Sequence, residues 1–133
     1  MTHEEICTYE VCKLAKEKGF NKEVFAYYDY NGDLAYVVSQ YRGSSINEVL
    51  IDKNKPNPIG VEYTSAPTQC LLQSWLREEK GLHITVPFDN NEFWWQIKNL
   101  ANGDSEYGEA LGFNTYELAL ESALKYALEN LVI

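Results

Sequence analysis

Ser65-Ala-Pro-Thr-Gln-Cys-Leu-Leu-Gln-Ser-Trp-Leu-Arg-Glu-Glu-Lys-Gly81 carries every signal of one complete helix. Ser65 or Thr68 supplies a hydroxyl cap, and Pro67 stands near the first turn, where its missing N–H costs nothing. Leu71, Leu72, Trp75 and Leu76 recur at helical spacing to form one apolar face, and Gly81 ends the segment. A second amphipathic helix is expected over residues 114–131. Asn114 and Glu117 form its capping box, and Tyr116, Ala119, Leu120, Ala123, Leu124, Ala127, Leu128 and Leu131 make a wide stripe.

The stretch between these helices has the period of two. Leu82, Ile84, Val86 and Phe88 alternate with His83, Thr85 and Pro87. After the turn at Asp89-Asn-Asn-Glu92, Phe93, Trp95 and Ile97 alternate with Trp94, Gln96 and Lys98. Two half-buried antiparallel strands follow from that pattern. Residues 99–112, with Gly103, Gly108 and Gly112, read as an acidic loop with room for a third strand.

Upstream, Thr2 and Glu5 form a capping box and Gly19 a stop, which predicts a first helix over residues 3–18 with Cys7, Val11, Leu14 and Ala15 on its apolar stripe. Residues 24–30 and 34–40 are strand-like around Asn31-Gly32-Asp33. Asn-Gly there predicts a type I′ hairpin turn, which needs positive φ at both centres. Tyr27, Tyr28, Tyr30, Tyr36 and Tyr41 crowd that hairpin. Residues 48–51 have the makings of a short strand, and Lys53-Asn-Lys-Pro-Asn-Pro58 reads as a surface loop. Ile59, Val61 and Tyr63 alternate as a further strand would.

The fold expected is α+β, three helices packed on antiparallel hairpins in the order α-β-β-(β)-α-β-β-(β)-α. Residues 1–133 are expected to form one domain, with two αββ lobes (1–64 and 65–133) sharing one core as a variant of that plan. Lys16-Glu-Lys-Gly19 and Glu78-Glu-Lys-Gly81, each before a hairpin, give that variant a faint internal echo.

Composition narrows the function classes. With 45% hydrophobic and 14% aromatic residues the chain can bury a core, so it is not disordered. No apolar run approaches the roughly 20 residues that span a bilayer. The opening Met-Thr-His-Glu-Glu is acidic where a secretory signal is basic, so an intracellular protein is expected. Twenty acids against eleven bases give −9, and from Val86 onward eight acids face only Lys98 and Lys125. Such a field opposes phosphate and favours either plain solubility or a basic partner.

Catalytic and metal chemistry find little support. Cys7, Cys12 and Cys70 are odd in number and without paired spacing, so neither a disulfide framework nor a zinc site is expected. Asp29-x-Asn31-Gly-Asp33 departs from a calcium loop, because its glycine comes before the third ligand and no Glu closes it. Neither a P-loop nor a nucleophile–base motif occurs, and no cofactor is expected. His3 and His83 are the near-neutral bases. Alternation puts His83 on one strand face with Thr85, Trp94, Gln96 and Lys98, so a small hydrolase built on His83 is one alternative.

The order helix–strand–strand–(strand)–helix from Pro67 onward resembles that of double-stranded-RNA-binding modules. That resemblance implies basic side chains at the start of the final helix, where this chain has Asn114, Thr115, Tyr116 and Glu117. A nucleic-acid module would instead need Lys13, Lys16, Lys18 and Lys22 gathered in one patch.

Ser-Ala-Pro-Thr-Gln-x-Leu-Leu-Gln-x-Trp-Leu-Arg-Glu, then His83-Ile84 and Thr115-Tyr-Glu-x-Ala-Leu-Glu, resembles a family of small uncharacterised proteins encoded by phages and integrated elements of gut bacteria. Leu14-Ala-Lys-Glu-Lys-Gly-Phe-Asn21 fits the same pattern. The resemblance covers most of the chain and fades over residues 42–64. It implies an accessory gene and a bacterial cytoplasm, and no catalytic residue. The expected function is therefore non-catalytic protein–protein contact, with inhibition of a host system by the acidic surface as one concrete form. A host or phage protein is the expected partner, with a second copy of the chain as an alternative. Trp94, His83, Gln96, Tyr28, Tyr36, Glu106 and Glu109 are the candidate binding residues.

Overall fold

In the computed structural model, which describes residues 5–37, 51–55, 60–107 and 112–132, the central segment folds as its capping signals require. Helix α2 spans Gln69–Lys80, and Gly81 closes it in the left-handed conformation at φ 67°. Of the two candidate caps, Thr68 accepts the Leu71 N–H at 3.2 Å. Ser65 is instead buried in a two-residue strand. Leu72, Trp75 and Leu76 are buried, whereas Leu71 is half-exposed.

The fold is α+β, with three helices and antiparallel strands. Its contacts divide the chain into two compact units, Met1–Glu5 with Thr68–Ile133, and Ile6–Pro67.

In the first unit, β4 (Leu82–Thr85), β7 (Gln96–Asn99) and β8 (Ser105–Tyr107) form an antiparallel sheet in the order β4-β7-β8. β8 is the third strand for which residues 99–112 left room. Leu82, Ile84 and Ile97 are buried while His83, Thr85, Gln96 and Lys98 alternate with them, as the period of two requires. The long strands expected here are broken. Pro87 cannot donate to a ladder, and past it a separate hairpin forms from β5 (Phe88–Asp89) and β6 (Glu92–Phe93).

Helix α3 (Tyr116–Tyr126) packs on α2 and β4 and passes into a π-helical turn, Ala127–Leu131. Its cap is Thr115, which accepts the Leu118 N–H at 3.1 Å, so the helix starts one residue later than the Asn114 box predicts. Ala119, Ala123 and Ala127 are fully buried beside Leu120, Leu124 and Leu128, and their small size lets α3 lie close to its neighbours. Tyr116, expected on that stripe, is 40% exposed.

Gln69 is a buried polar residue that hydrophobic patterning passes over. Its Nε2 donates to the Glu117 carbonyl and to Glu121 Oε1, each at 2.9 Å, tying the first turn of α2 to α3. Gln69→Ala would remove both bonds along with a buried side chain and should cost about 2 kcal/mol. Urea denaturation checks this, with Gln73→Ala as a comparison that breaks only one bond, to the Ile84 carbonyl.

In the second unit, α1 (Tyr9–Glu17) is shorter than expected. Thr8 is its cap, and residues 5–8 are not helical, so Cys7 precedes the helix. Thr2 lies outside the described residues. The Cys7 N–H goes to the Pro67 carbonyl at 3.0 Å, a bond that helical residues 3–18 would have forbidden. β1 (Ala26–Tyr28), β2 (Leu34–Tyr36) and β3 (Thr64–Ser65) form a sheet in the order β2-β1-β3.

The β1–β2 connection is a five-residue loop and not a type I′ turn. Asp29 Oδ1 accepts the N–H groups of Asn31 and Asp33, at 2.8 and 3.0 Å, and Gly32 alone there has positive φ, 83°. A short Asp side chain that satisfies two backbone donors out-competes the tighter turn. Ile51 exchanges both backbone hydrogen bonds with Val24. The remainder of the expected strand at 48–51 lies outside the described residues, as do Ile59, residues 38–40 and the Pro56–Pro58 part of the loop. Val61 and Tyr63 are irregular, and the expected strand there is reduced to β3.

Candidate functional site

The β5–β6 hairpin is the most distinctive surface of the first unit. Asn90 and Asn91 have φ of 52° and 63°, so both centres of this two-residue loop are left-handed. This is the backbone that a type I′ turn needs and that Asn tolerates. The expected I′ geometry thus occurs here and not at Asn31-Gly32.

Phe88 lies opposite Phe93, and Asp89 opposite Glu92, so the hairpin puts aromatic rings on one face and carboxylates on the other. The Phe88 and Phe93 rings are 4.8 Å apart, and Tyr116 meets Phe93 edge-on at 6.3 Å. Phe93 also exchanges backbone hydrogen bonds with Phe113. A Cβ on Gly112 would lie 2.5 Å from that of Glu92, so this close approach needs glycine. Phe88 stays open to solvent at 59% exposure, while Phe93 is half-buried. Strict alternation would have buried Phe88. The break at Pro87 carries it past the helices that cover Leu82 and Ile84.

On the carboxylate side an open cleft of ≈ 300 Å³ is lined by Pro87, Asp89, Asn90, Trp94, Trp95 and Tyr107. Trp94 donates its N–H to the Pro87 carbonyl and its indole Nε1–H to the Asp89 carbonyl, at 2.9 and 3.2 Å. Trp95 is buried, with its ring 5.1 Å from Tyr126 and its Nε1–H on Ser122 Oγ. Tyr107 forms an exposed wall and accepts a bond from Gln96 Nε2 at 3.4 Å.

Of the expected site residues of this unit, Trp94 lines the cleft and Gln96 bonds its wall. Gln96 stands opposite both Thr85 and Tyr107, and Lys98 opposite both His83 and Ser105, giving the sheet one polar face. The direct cross-strand neighbour of His83 is Lys98, not a carboxylate. Glu106 stands opposite Ile97, on the other face, and its Oε2 accepts from the Tyr126 hydroxyl at 3.4 Å. Glu109 lies outside the described residues.

The two tyrosines belong to the other unit. Tyr28 is half-buried, and its hydroxyl donates to the Cys7 carbonyl at 2.7 Å, which is a structural bond. Tyr36 is exposed and stacks on Phe25. A further cleft there, of ≈ 480 Å³, takes Lys13 and Lys16 together with Glu17, Asp29 and Glu62. Its charge is mixed. Among the described residues no group of three or more His, Cys, Asp or Glu side chains is placed to share a metal ion. Cys7 and Cys12 are buried free thiols and Cys70 is exposed. No described helix is long and apolar enough to cross a membrane.

Phe88, Tyr107 and Tyr116 are the surface residues that sequence patterning missed. The one available signal was Pro87, whose ring interrupts the alternating run just before Phe88. No family model matches this chain, and neither a curated protein nor a solved structure matches it.

Proposed function

We propose that this chain is a non-catalytic accessory protein that acts by protein–protein contact through the β5–β6 hairpin. The observation that carries the reading is the aromatic group of exposed Phe88 and Tyr116 about a half-buried Phe93, backed by Asp89, Glu92 and Glu117. Contiguous open rings are unfavourable in water unless a partner covers them, and aromatics inside a polar rim are the usual anchors of interfaces. The surplus of acids in this part of the chain supports a basic partner, because complementary charge speeds encounter and rejects acidic competitors. The resemblance to proteins of phages and integrated elements supports a bacterial cytoplasmic setting, with a host system as target.

A tagged chain used as bait in bacterial lysate, with and without nuclease, tests this. The expected result is a specific protein that survives nuclease treatment and is lost with the double substitution Phe88→Ser, Tyr116→Ser. Recovery of nucleic acid in its place, or retention that ignores both substitutions, overturns the reading.

A further inference from the structure

We infer that the cleft between Trp94 and Tyr107 is a receptor for an arginine side chain of the protein partner. This rests on the protein-contact reading above and adds the chemistry of the group that is gripped.

The aromatic faces of this molecule attract cations, and several are already occupied from within. Lys53 lies over both Tyr27 and Tyr63, at 4.5 and 4.8 Å from the ring centroids. Lys80 lies over Trp75 at 5.3 Å, and Lys13 over Tyr9 at 5.4 Å. Among the described residues no Lys or Arg lies over Trp94 or Tyr107. Yet their cleft has the composition of a cation site: the Trp94 indole and the Tyr107 phenol as π surface over a buried Trp95, with Asp89 and Asn90 as polar lining. The Asp89 side chain makes no hydrogen bond or ion pair among the described residues, so its charge is available to a ligand.

The walls are also held in place before any ligand arrives. The Trp94 indole is tethered by its N–H to Asp89, Tyr107 by its hydroxyl to Gln96, and Trp95 is fixed beneath by Ser122. Little ordering is then needed on binding. Arginine fits better than lysine for a physical reason. A planar, weakly hydrated guanidinium stacks flat on an indole and still directs its forked N–H groups at a carboxylate. An ammonium keeps its hydration more tightly and has no flat face. Glu92 stands opposite Asp89 on the same face of the hairpin, and its charge favours a positive guest further.

The test is titration of the full chain with acetyl-Arg-Arg-Arg-amide, its lysine counterpart and its citrulline counterpart, read from the three tryptophan indole N–H signals by NMR. The arginine peptide should shift the Trp94 indole signal saturably and leave that of Trp75 in place. Replacing guanidinium by the neutral, isosteric urea of citrulline should weaken binding about tenfold or more, with lysine in between. Asp89→Asn and Tyr107→Leu, which alter exposed side chains, should each weaken the arginine peptide about fivefold or more. Trp94→Ala is a harsher variant, because it also removes the tether to Asp89.

Equal binding of the citrulline peptide overturns the inference. So do shifts spread evenly over the acidic surface, or affinity unchanged in both Asp89→Asn and Tyr107→Leu. A partner that is retained and lost with Phe88→Ser, but insensitive to Tyr107→Leu, also sinks the arginine site and leaves the protein-contact reading standing. Peptide binding at Trp94 with no retained protein would do the reverse.

Discussion

Trp95→Ala is expected to remove roughly 3–5 kcal/mol of folding stability. The indole is 4% exposed, packs against Tyr126 and donates to Ser122, so truncation leaves a large cavity and a lost hydrogen bond together. Domains of this size have only about 5–15 kcal/mol in total, so the loss is a large fraction of what holds the unit. For a chain of this length it lowers Tm by roughly 10–20 °C. Trp94→Ala, one residue away, should cost only about 1 kcal/mol, because its ring is half-exposed and its N–H reaches a carbonyl that water can serve instead. Parallel urea titrations of the two variants, followed by far-ultraviolet circular dichroism, check the contrast. Similar losses in both would mean that the two rings are not partitioned between core and surface.

Removing the aromatic face of the hairpin should do the opposite. Phe88→Ser with Tyr116→Ser is expected to lower affinity for the retained partner about 30-fold or more, since truncating a central interface aromatic commonly costs about 2 kcal/mol or more. Stability should change by less than about 1 kcal/mol, because Phe88 and Tyr116 already face solvent when the chain is free. Calorimetric binding to that partner, with thermal unfolding of the free variants alongside, separates the two quantities. A loss of binding that merely tracks a loss of fold would remove the hairpin from the interface. A charge reversal such as Glu117→Lys belongs to the rim, and should mainly slow association and reduce its dependence on salt.

These two expectations draw on different levels of the molecule. That Trp95 is buried and Trp94 is not was legible from alternation alone, because Phe93, Trp95 and Ile97 share one period-two face. The exposure of Phe88 was not legible, because the same rule places it with Leu82 and Ile84. What defeats the rule is Pro87. It removes a ladder donor and lets the chain break into a separate hairpin, whose direction depends on the Phe93–Phe113 bridge and the contact at Gly112. Those partners lie about twenty residues downstream, and no local pattern encodes them.

The same division runs through the turns. Asn31-Gly32 and Asn90-Asn91 both advertise left-handed backbone, but only the second pair uses it at both positions. At the first, the Asp29 carboxylate satisfies two N–H groups and selects a wider loop, a competition between nearly equal local energies. The first helix shows a similar limit. Thr2-x-x-Glu5 and Thr8 are both credible caps, and the chain starts the helix at Thr8, with Cys7 given over to pairing with Pro67.

By itself, then, the sequence determined the α+β class, the three helices, most of the apolar face of the second and third, and the surplus of acidic charge. Each of these is summed over many residues, so no single competing contact can reverse it. Only the tertiary structure decided where the aromatic hairpin sits, which rings stay open and that Trp94, Tyr107 and Asp89 share a cleft. Those outcomes depend on one or two long-range bonds apiece, and bonds of that kind become specific only after the strands have paired.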